Sequence, residues 1–238
     1  MVEYSGYDDL IRKVYDKKQE HVFEYWNELG EAERKSLLEE LAAVDFDSVP
    51  RLMALAGQGA AEEKGYGPSE FIARSSDEDF AKARAVGIEH ISAGKVAAFI
   101  VAGGQGSRLG YEGPKGCFQV SAVKNRSLFY IHASKVKKYS EKYGVRIPLL
   151  IMTSQMNHAE TEAHFVENSY FGLDPEDVIL FPQNMIPSLD TNGKLIMAGK
   201  SALFRNPDGH GGSLTALKTS GAIATLQKRG ITTISYFQ

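Results

Sequence analysis

Phe99-Ile-Val-Ala-Gly-Gly-Gln-Gly-Ser-Arg-Leu-Gly-Tyr-Glu-Gly-Pro-Lys115 decides how the rest of the chain is read. Val96 to Ala102 is a short apolar run rich in Val, Ile and Phe, the pattern of a buried strand. It runs directly into Gly103, Gly104, Gly106 and Gly110. Glycines at that point let the backbone turn sharply or approach a ligand closely. Backbone N–H groups of such a loop can cradle phosphates. Arg108 adds a fork of donors and Lys115 a mobile positive charge, both suited to phosphate oxygens. The stretch therefore reads as a nucleotide site.

The familiar phosphate motifs do not fit it. A Walker loop places Lys directly after its last Gly, whereas Gly110 is followed by Tyr111. A dinucleotide fingerprint needs a third Gly where Leu109 stands and an acid near Lys124 and Asn125, where there is none. A dinucleotide-dependent oxidoreductase is thereby disfavoured.

Composition narrows the classes further. The chain has 238 residues, a hydrophobic fraction of 43% and a net charge of −3, enough for one sizeable core or a core with an appendage. That charge excludes a global nucleic-acid footprint. Nine Lys and Arg against Glu112 and Glu141 lie between Arg108 and Arg146, and Lys135, Lys137, Lys138 and Lys142 read as the solvated face of one helix. Cys117 is the only cysteine, so no internal disulfide can form, and it reads as a small packed side chain. The early residues Glu3, Asp8, Asp9 and Arg12 do not make a signal peptide, and no apolar run reaches the length of a membrane span. The expectation is a soluble, cytoplasmic protein with no membrane partner.

In chain order, Ile11 to Leu29 shows apolar positions at helical spacing and ends at Gly30; a second helix spans about Glu31 to Val44. A Gly-rich linker falls near 57–68. A third helix starts at Ser76, capped with Asp79, and ends by Gly94. After the Val96 strand, Ser127 caps a helix to Tyr143, Ile147–Met152 is a strand, and Asn157 with Glu160 caps a helix to Asn168. Val178–Phe181 is a strand, Asn192-Gly193 a turn, Ser213–Gly230 a helix and Ile231–Phe237 a strand. Strand–helix alternation from Val96 on predicts an α/β fold with a mainly parallel sheet, ligands sitting at the carboxyl ends of its strands. The division expected is a helical arm at 1–94 and a nucleotide-binding part at 95–238.

Gly103-Gly-Gln-Gly-Ser-Arg-Leu-Gly-x-x-x-Pro-Lys115 resembles the signature of the UDP-sugar pyrophosphorylases. Within them it is most similar to the eukaryotic-type UDP-N-acetylhexosamine pyrophosphorylases and their bacterial relatives. Gln19-Glu-His-Val-Phe-Glu-Tyr-Trp-Asn-Glu-Leu29 is similar to the N-terminal arm of the same family. Phe181-Pro-Gln-Asn-Met-Ile-Pro187 resembles a family stretch whose second Gln contacts uridine, and that Gln falls on Gln183. Asn206-Pro-Asp-Gly-His-Gly-Gly212 resembles another, implying that the Gly209 backbone touches uridine and that His210 touches the sugar. Gly-His-Gly here is closer to UDP-glucose pyrophosphorylases, while Gly212 is closer to the N-acetylhexosamine branch, so the sugar stays open.

The resemblance implies a Rossmann-like nucleotidyltransferase sheet, incomplete here, behind an N-terminal helical arm. It implies a uridylyltransferase that joins UTP and a sugar 1-phosphate into a UDP-sugar and pyrophosphate. Lys115 would serve the phosphates, Arg108 the pyrophosphate, and Gly103 and Gly104 would lie against the nucleotide. The family's magnesium ligand is the Asp of a Val-Asp-Asn that follows in relatives, so Mg2+ is expected as cofactor with its Asp beyond Gln238. The expectation is an N-terminal portion with little or no turnover alone. The alternatives are a glucose-1-phosphate enzyme and a non-catalytic nucleotide-binding module.

Overall fold

The structure is a computed structural model and describes residues 1–57, 67–69 and 77–237. Its frame is a four-stranded sheet of β1 (Val96–Val101), β2 (Leu149–Thr153), β3 (Val178–Pro182) and β6 (Thr233–Phe237), all neighbours parallel, in the order β3-β2-β1-β6. The four strands expected from their apolar runs are these four. β2 is buried along its whole length and β1 from Ala97 to Ile100, as strands covered on both faces must be.

Each strand sends alternate side chains to opposite faces. Ala98, Ile100, Leu149 and Ile151 pack with Phe129, Ala133 and Val136 of α5 (Leu128–Tyr143) and Phe165 of α6 (His158–Glu167). Ala97, Phe99, Leu150 and Met152 pack on the other face with Ala216 and Leu217 of α7 (Ser213–Thr219) and Ala222 and Leu226 of α8 (Ala222–Lys228). Each fully buried Leu or Phe in these clusters contributes roughly 1.5–3 kcal/mol. The order proceeds outward from β1 to β2 to β3, then returns to the other side of β1 with β6. The change of direction lies between β1 and β6, the switch point at which sheets of this kind open a crevice at their carboxyl ends.

The chain divides into two compact units, and not at one point. One unit takes residues 1–70 and 185–206; the other takes 71–184 and 207–238. The excursion 185–206, expected with the nucleotide-binding part, thus groups with the helical arm. It carries β4 (Met185–Pro187), which pairs with β5 (Arg205–Pro207), and antiparallel bridges join Leu189 to Leu195 and Met197 to Leu203. Leu195 and Leu203 enter one core with Ile11, Val14, Val22, Phe23 and Trp26 and with Leu37, Leu38 and Leu41.

Two expected helices are broken. Ile11–Leu29 is not one helix: α1 (Asp8–Asp16) ends, Lys18 takes a left-handed φ of 56°, and short 3-10 turns follow at Glu20–Phe23 and Trp26–Glu28. The break turns Gln19 inward, where its amide donates to Gly193 O (2.8 Å) and accepts from Leu195 N–H (2.9 Å). Ser213–Gly230 divides into α7 and α8 at Gly221, whose φ is 78°. The second expected helix forms as α2 (Glu31–Ala42), with Gly30 N–H donating to Glu33 (2.8 Å), and α3 (Val49–Gly57) is additional to the expected elements. The third is α4 (Asp77–Ser92), while its expected cap Ser76 and most of the 57–68 linker lie outside the described residues.

Candidate functional site

The glycine stretch leaves β1 at the switch point and folds back on itself. Gly106 N–H donates to Gly113 O (2.9 Å), Gln105 and Pro114 form an antiparallel bridge, and Lys115 N–H donates to Gly104 O (3.0 Å). A 3-10 turn at Ser107–Leu109 ends on Gly110, at a φ of 64° that favours glycine. The N–H groups of Gly103 and Gly104 have no hydrogen-bond partner among the described residues. A β-carbon on Gly104 would meet nothing within 4 Å, whereas one on Gly103 would come within 3.2 Å of Gln183 Nε2. Glycine at 103 is thus what lets the Gln183 side chain lie against the loop.

A cavity of about 290 Å³ opens here, and six of the seven candidate residues line it: Gly103, Gly104, Lys115, Gln183, Gly209 and His210. They come from three separate loops, after β1, after β3 and before α7. Gln183 is held by its own N–H, which donates to Thr153 O (2.7 Å) and continues the β2–β3 ladder past the strand end. Its amide makes no hydrogen bond to another described residue, leaving a donor and an acceptor for a ligand. Arg108 is exposed on the Ser107–Leu109 turn and does not line the cavity.

The third loop is shaped by Asp208. Its N–H donates to Asn184 O (3.2 Å), and its carboxyl lies where a β-carbon on Gly212 would stand, 1.8–2.0 Å away. The amino end of α7 thus has the chain's own carboxyl beside it. Burial raises the proton affinity of that carboxyl, against its backbone N–H and the Asn184 amide. Gly209 takes a φ of 65°, and His210 Nδ1 pairs with the Tyr236 hydroxyl of β6 at 3.1 Å.

Two residues not among those expected at the site from the sequence line or brace it. His132 of α5 lines the cavity, its ring tilted against Phe237 at 5.1 Å. Burial, and then Lys135, hold its pKa below the usual value. Asn157 is fully buried and does not cap α6 through its side chain, contrary to its expected pairing with Glu160. It reaches instead for the glycine loop, donating to Ala102 O (3.2 Å) and Gly104 O (3.5 Å). Cys117 is buried and its thiol is pushed up to about 12, first by burial and then by Glu160, which suits a packed side chain and not a nucleophile. Among the described residues no helix is long and apolar enough to cross a membrane.

This geometry, three loops around a crevice at the switch point of a parallel sheet, defines an α/β protein whose crevice opens at the carboxyl ends of its strands. Residues 72–236 match the family described as UTP--glucose-1-phosphate uridylyltransferase, and the chain belongs to that family. It is 33% identical over 244 residues to UDP-N-acetylglucosamine diphosphorylase 2 of Arabidopsis thaliana, covering 95% of this chain and 49% of that protein. It is 33% identical over 243 residues to a probable UDP-N-acetylglucosamine pyrophosphorylase of Schizosaccharomyces pombe, covering 95% of this chain and 50% of that one. The crystal structure of the uridine diphosphate N-acetylglucosamine pyrophosphorylase from Trypanosoma brucei, in complex with inhibitor, superposes with a TM-score of 0.74 at 31% identity, over 99% of this chain and 52% of that one. The chain therefore spans about half the length of the relatives it matches.

Proposed function

We propose that the chain carries the UTP-binding part of a uridylyltransferase that joins UTP to N-acetylglucosamine 1-phosphate, giving UDP-N-acetylglucosamine and pyrophosphate. The observation that carries this reading is the gathering of Gly103, Gly104, Lys115, Gln183, Gly209 and His210 around one cavity. A phosphate oxygen of the sugar phosphate attacks the α-phosphorus of UTP in line; the bond to the bridging oxygen breaks, and pyrophosphate leaves. The protein has two anions to position and developing charge to offset. Gly103 and Gly104 offer unpaired N–H groups and Lys115 a cation to the phosphates. The Gln183 amide and the Gly209 backbone read the uracil edge, and His210, held by Tyr236, faces the sugar. Arg108 serves the departing pyrophosphate from the exposed turn, outside the cavity.

Among the described residues no group of three or more His, Cys, Asp or Glu side chains comes together as a metal site. A magnesium ion would in this reading arrive with the nucleotide phosphates. His210 and the description of the matched family favour a second reading, in which the acceptor is glucose 1-phosphate.

The test is a calorimetric titration of UTP into the protein with magnesium, with ATP as control. The reading expects UTP binding and no ATP binding. Lys115→Ala should weaken UTP binding and flatten its salt dependence, whereas Gln183→Ala should weaken it about tenfold and erase the preference for UTP over CTP. Equal binding of ATP and UTP, or of neither, would overturn the reading.

A further inference from the structure

We infer that Asn157 is the positioning residue of the glycine loop, fixing the distance between the loop that meets phosphates and the strand end that presents Gln183. The inference rests on the nucleotide reading only for what the positioned loop binds. Asn157 sits at the turn between β2 and α6, the next strand over from β1, with no measurable exposure. Its Oδ1 accepts from Ser154 N–H (2.8 Å) and its own N–H donates to Ser154 Oγ (3.3 Å), so the side chain has one orientation. That orientation leaves Nδ2 aimed at Ala102 O and Gly104 O, the last carbonyl of the strand run and the one that also receives Lys115 N–H.

The same turn grips the other loop. Thr153 O accepts from Gln183 N–H (2.7 Å), and Thr153 Oγ1 donates to Phe181 O (3.3 Å) while pairing with His158 Nδ1 (2.7 Å). Within six residues, 153–158, the chain therefore holds the start of the glycine loop on one side and the run-up to Gln183 on the other. Ala102 O needs a donor there, and Gly104 O, which already accepts from Lys115 N–H, has a second lone pair to offer. An amide is the neutral side chain that supplies one while accepting from Ser154.

The experiment compares Asn157→Ala and Asn157→Asp with wild type, by amide hydrogen exchange without ligand and by UTP titration. In Asn157→Ala, exchange at Lys115 N–H and Gly106 N–H should rise at least tenfold, with Phe99 and Ile100 of β1 unchanged, and UTP should bind more than tenfold more weakly. Asn157→Asp has nearly the same shape, and its protonated carboxyl can donate to Ala102 O while its other oxygen accepts from Ser154. Ionised, it has no proton to give and faces two carbonyls.

Its loop protection should therefore approach wild type at acid pH and be lost as pH rises through the carboxyl pKa. The titratable groups around this turn, His158 and Glu160 on α6 and Lys115 on the loop, are present in wild type too, whose profile is the reference. A side chain that only fills space would give an Asp variant with the wild-type profile. Unchanged exchange in Asn157→Ala, or an Asp variant without the pH dependence, would overturn the inference. Exchange is read without nucleotide, so a wild-type protein that failed to bind UTP would sink the nucleotide reading while the exchange rates still decided the role of Asn157.

Discussion

Gly116→Ala should cost stability that the sequence around it does not advertise. Gly116 follows Lys115 in the cavity wall, and a β-carbon there would lie 2.1 Å from Phe129 Cε2, 2.2 Å from Cζ and 2.6 Å from Cδ2. Each distance is well inside ordinary van der Waals contact, so ring or loop must move by about an ångström. The ring has little room: Phe129 is 1% exposed, packs edge-on against Phe165 at 5.2 Å and lies tilted against His164 at 6.2 Å. Overpacking of a core site costs about 1–3 kcal/mol, and a clash with three ring atoms belongs at the upper end, about 3 kcal/mol. For a chain of this size that lowers Tm by about 6–12 °C. The assay is a thermal melt followed by circular dichroism for wild type, Gly116→Ala, Phe129→Leu and the double variant. Trimming the ring should relieve the clash, so the double variant should melt higher than additivity predicts, by a coupling of about 1–2 kcal/mol. A Gly116→Ala protein that melts with wild type, or strictly additive effects, would refute the packing argument.

Gly104→Ala is the contrasting case: with nothing within 4 Å of the added carbon, Tm should stay within about 2 °C while UTP binding falls, since the methyl group adds bulk to a cavity-lining residue; unchanged UTP affinity by calorimetry would count against the site. Asp177 is nearly buried and, although burial alone would raise its pKa, hydrogen bonds and charge from Arg146 and Arg229 hold it below the ordinary 3.8. A depressed carboxyl stabilises the fold above its unfolded value and loses that contribution as pH falls through the folded one. Wild type should therefore lose stability faster than Asp177→Asn below pH 3.8, and the Asn variant should be about 2 kcal/mol less stable at pH 7 by urea unfolding. Cys117, with its thiol near 12, should resist a thiol reagent at pH 8 in the folded protein and react fully in denaturant; rapid reaction in the native state would contradict its burial.

The strands were legible because each is a short apolar run bounded by turn residues, and that signal does not depend on distant contacts. Helix α5 was legible from both ends, Ser127 accepting from Tyr130 N–H at 3.1 Å and Gly144 closing at a φ of 63°. Ile11–Leu29 misled because 3-10 turns keep apolar residues nearly three apart, so periodicity ran on through the break at Lys18. What broke it is Gln19, satisfied by backbone more than 170 residues further on. The three loops of the site could be named from their residue types and from the family signature they resemble. Whether Arg108 joins the other six depends on the bend of its own turn, which no local pattern specifies. Asn157 looked like a helix cap because the signature of a cap and the chemistry of a loop brace are the same amide before a helix, and only the carbonyls of Ala102 and Gly104 distinguish them.

The hydrogen bond from Asp208 N–H to Asn184 O draws the two ends of residues 185–206 together. A segment joined to its parent through a closed neck can change length, sequence or partner at little entropic cost to the body it leaves. Gln183 stands just before that neck, and Gly209 and His210 just after it. Three of the residues that line the cavity therefore sit at the root of the excursion, outside the residues that lengthening or replacing it would change. Evolution, or an engineer, could vary the chain between Asn184 and Pro207 without touching the cavity lining, provided the replacement still supplied Leu195 and Leu203 to the core of the helical arm.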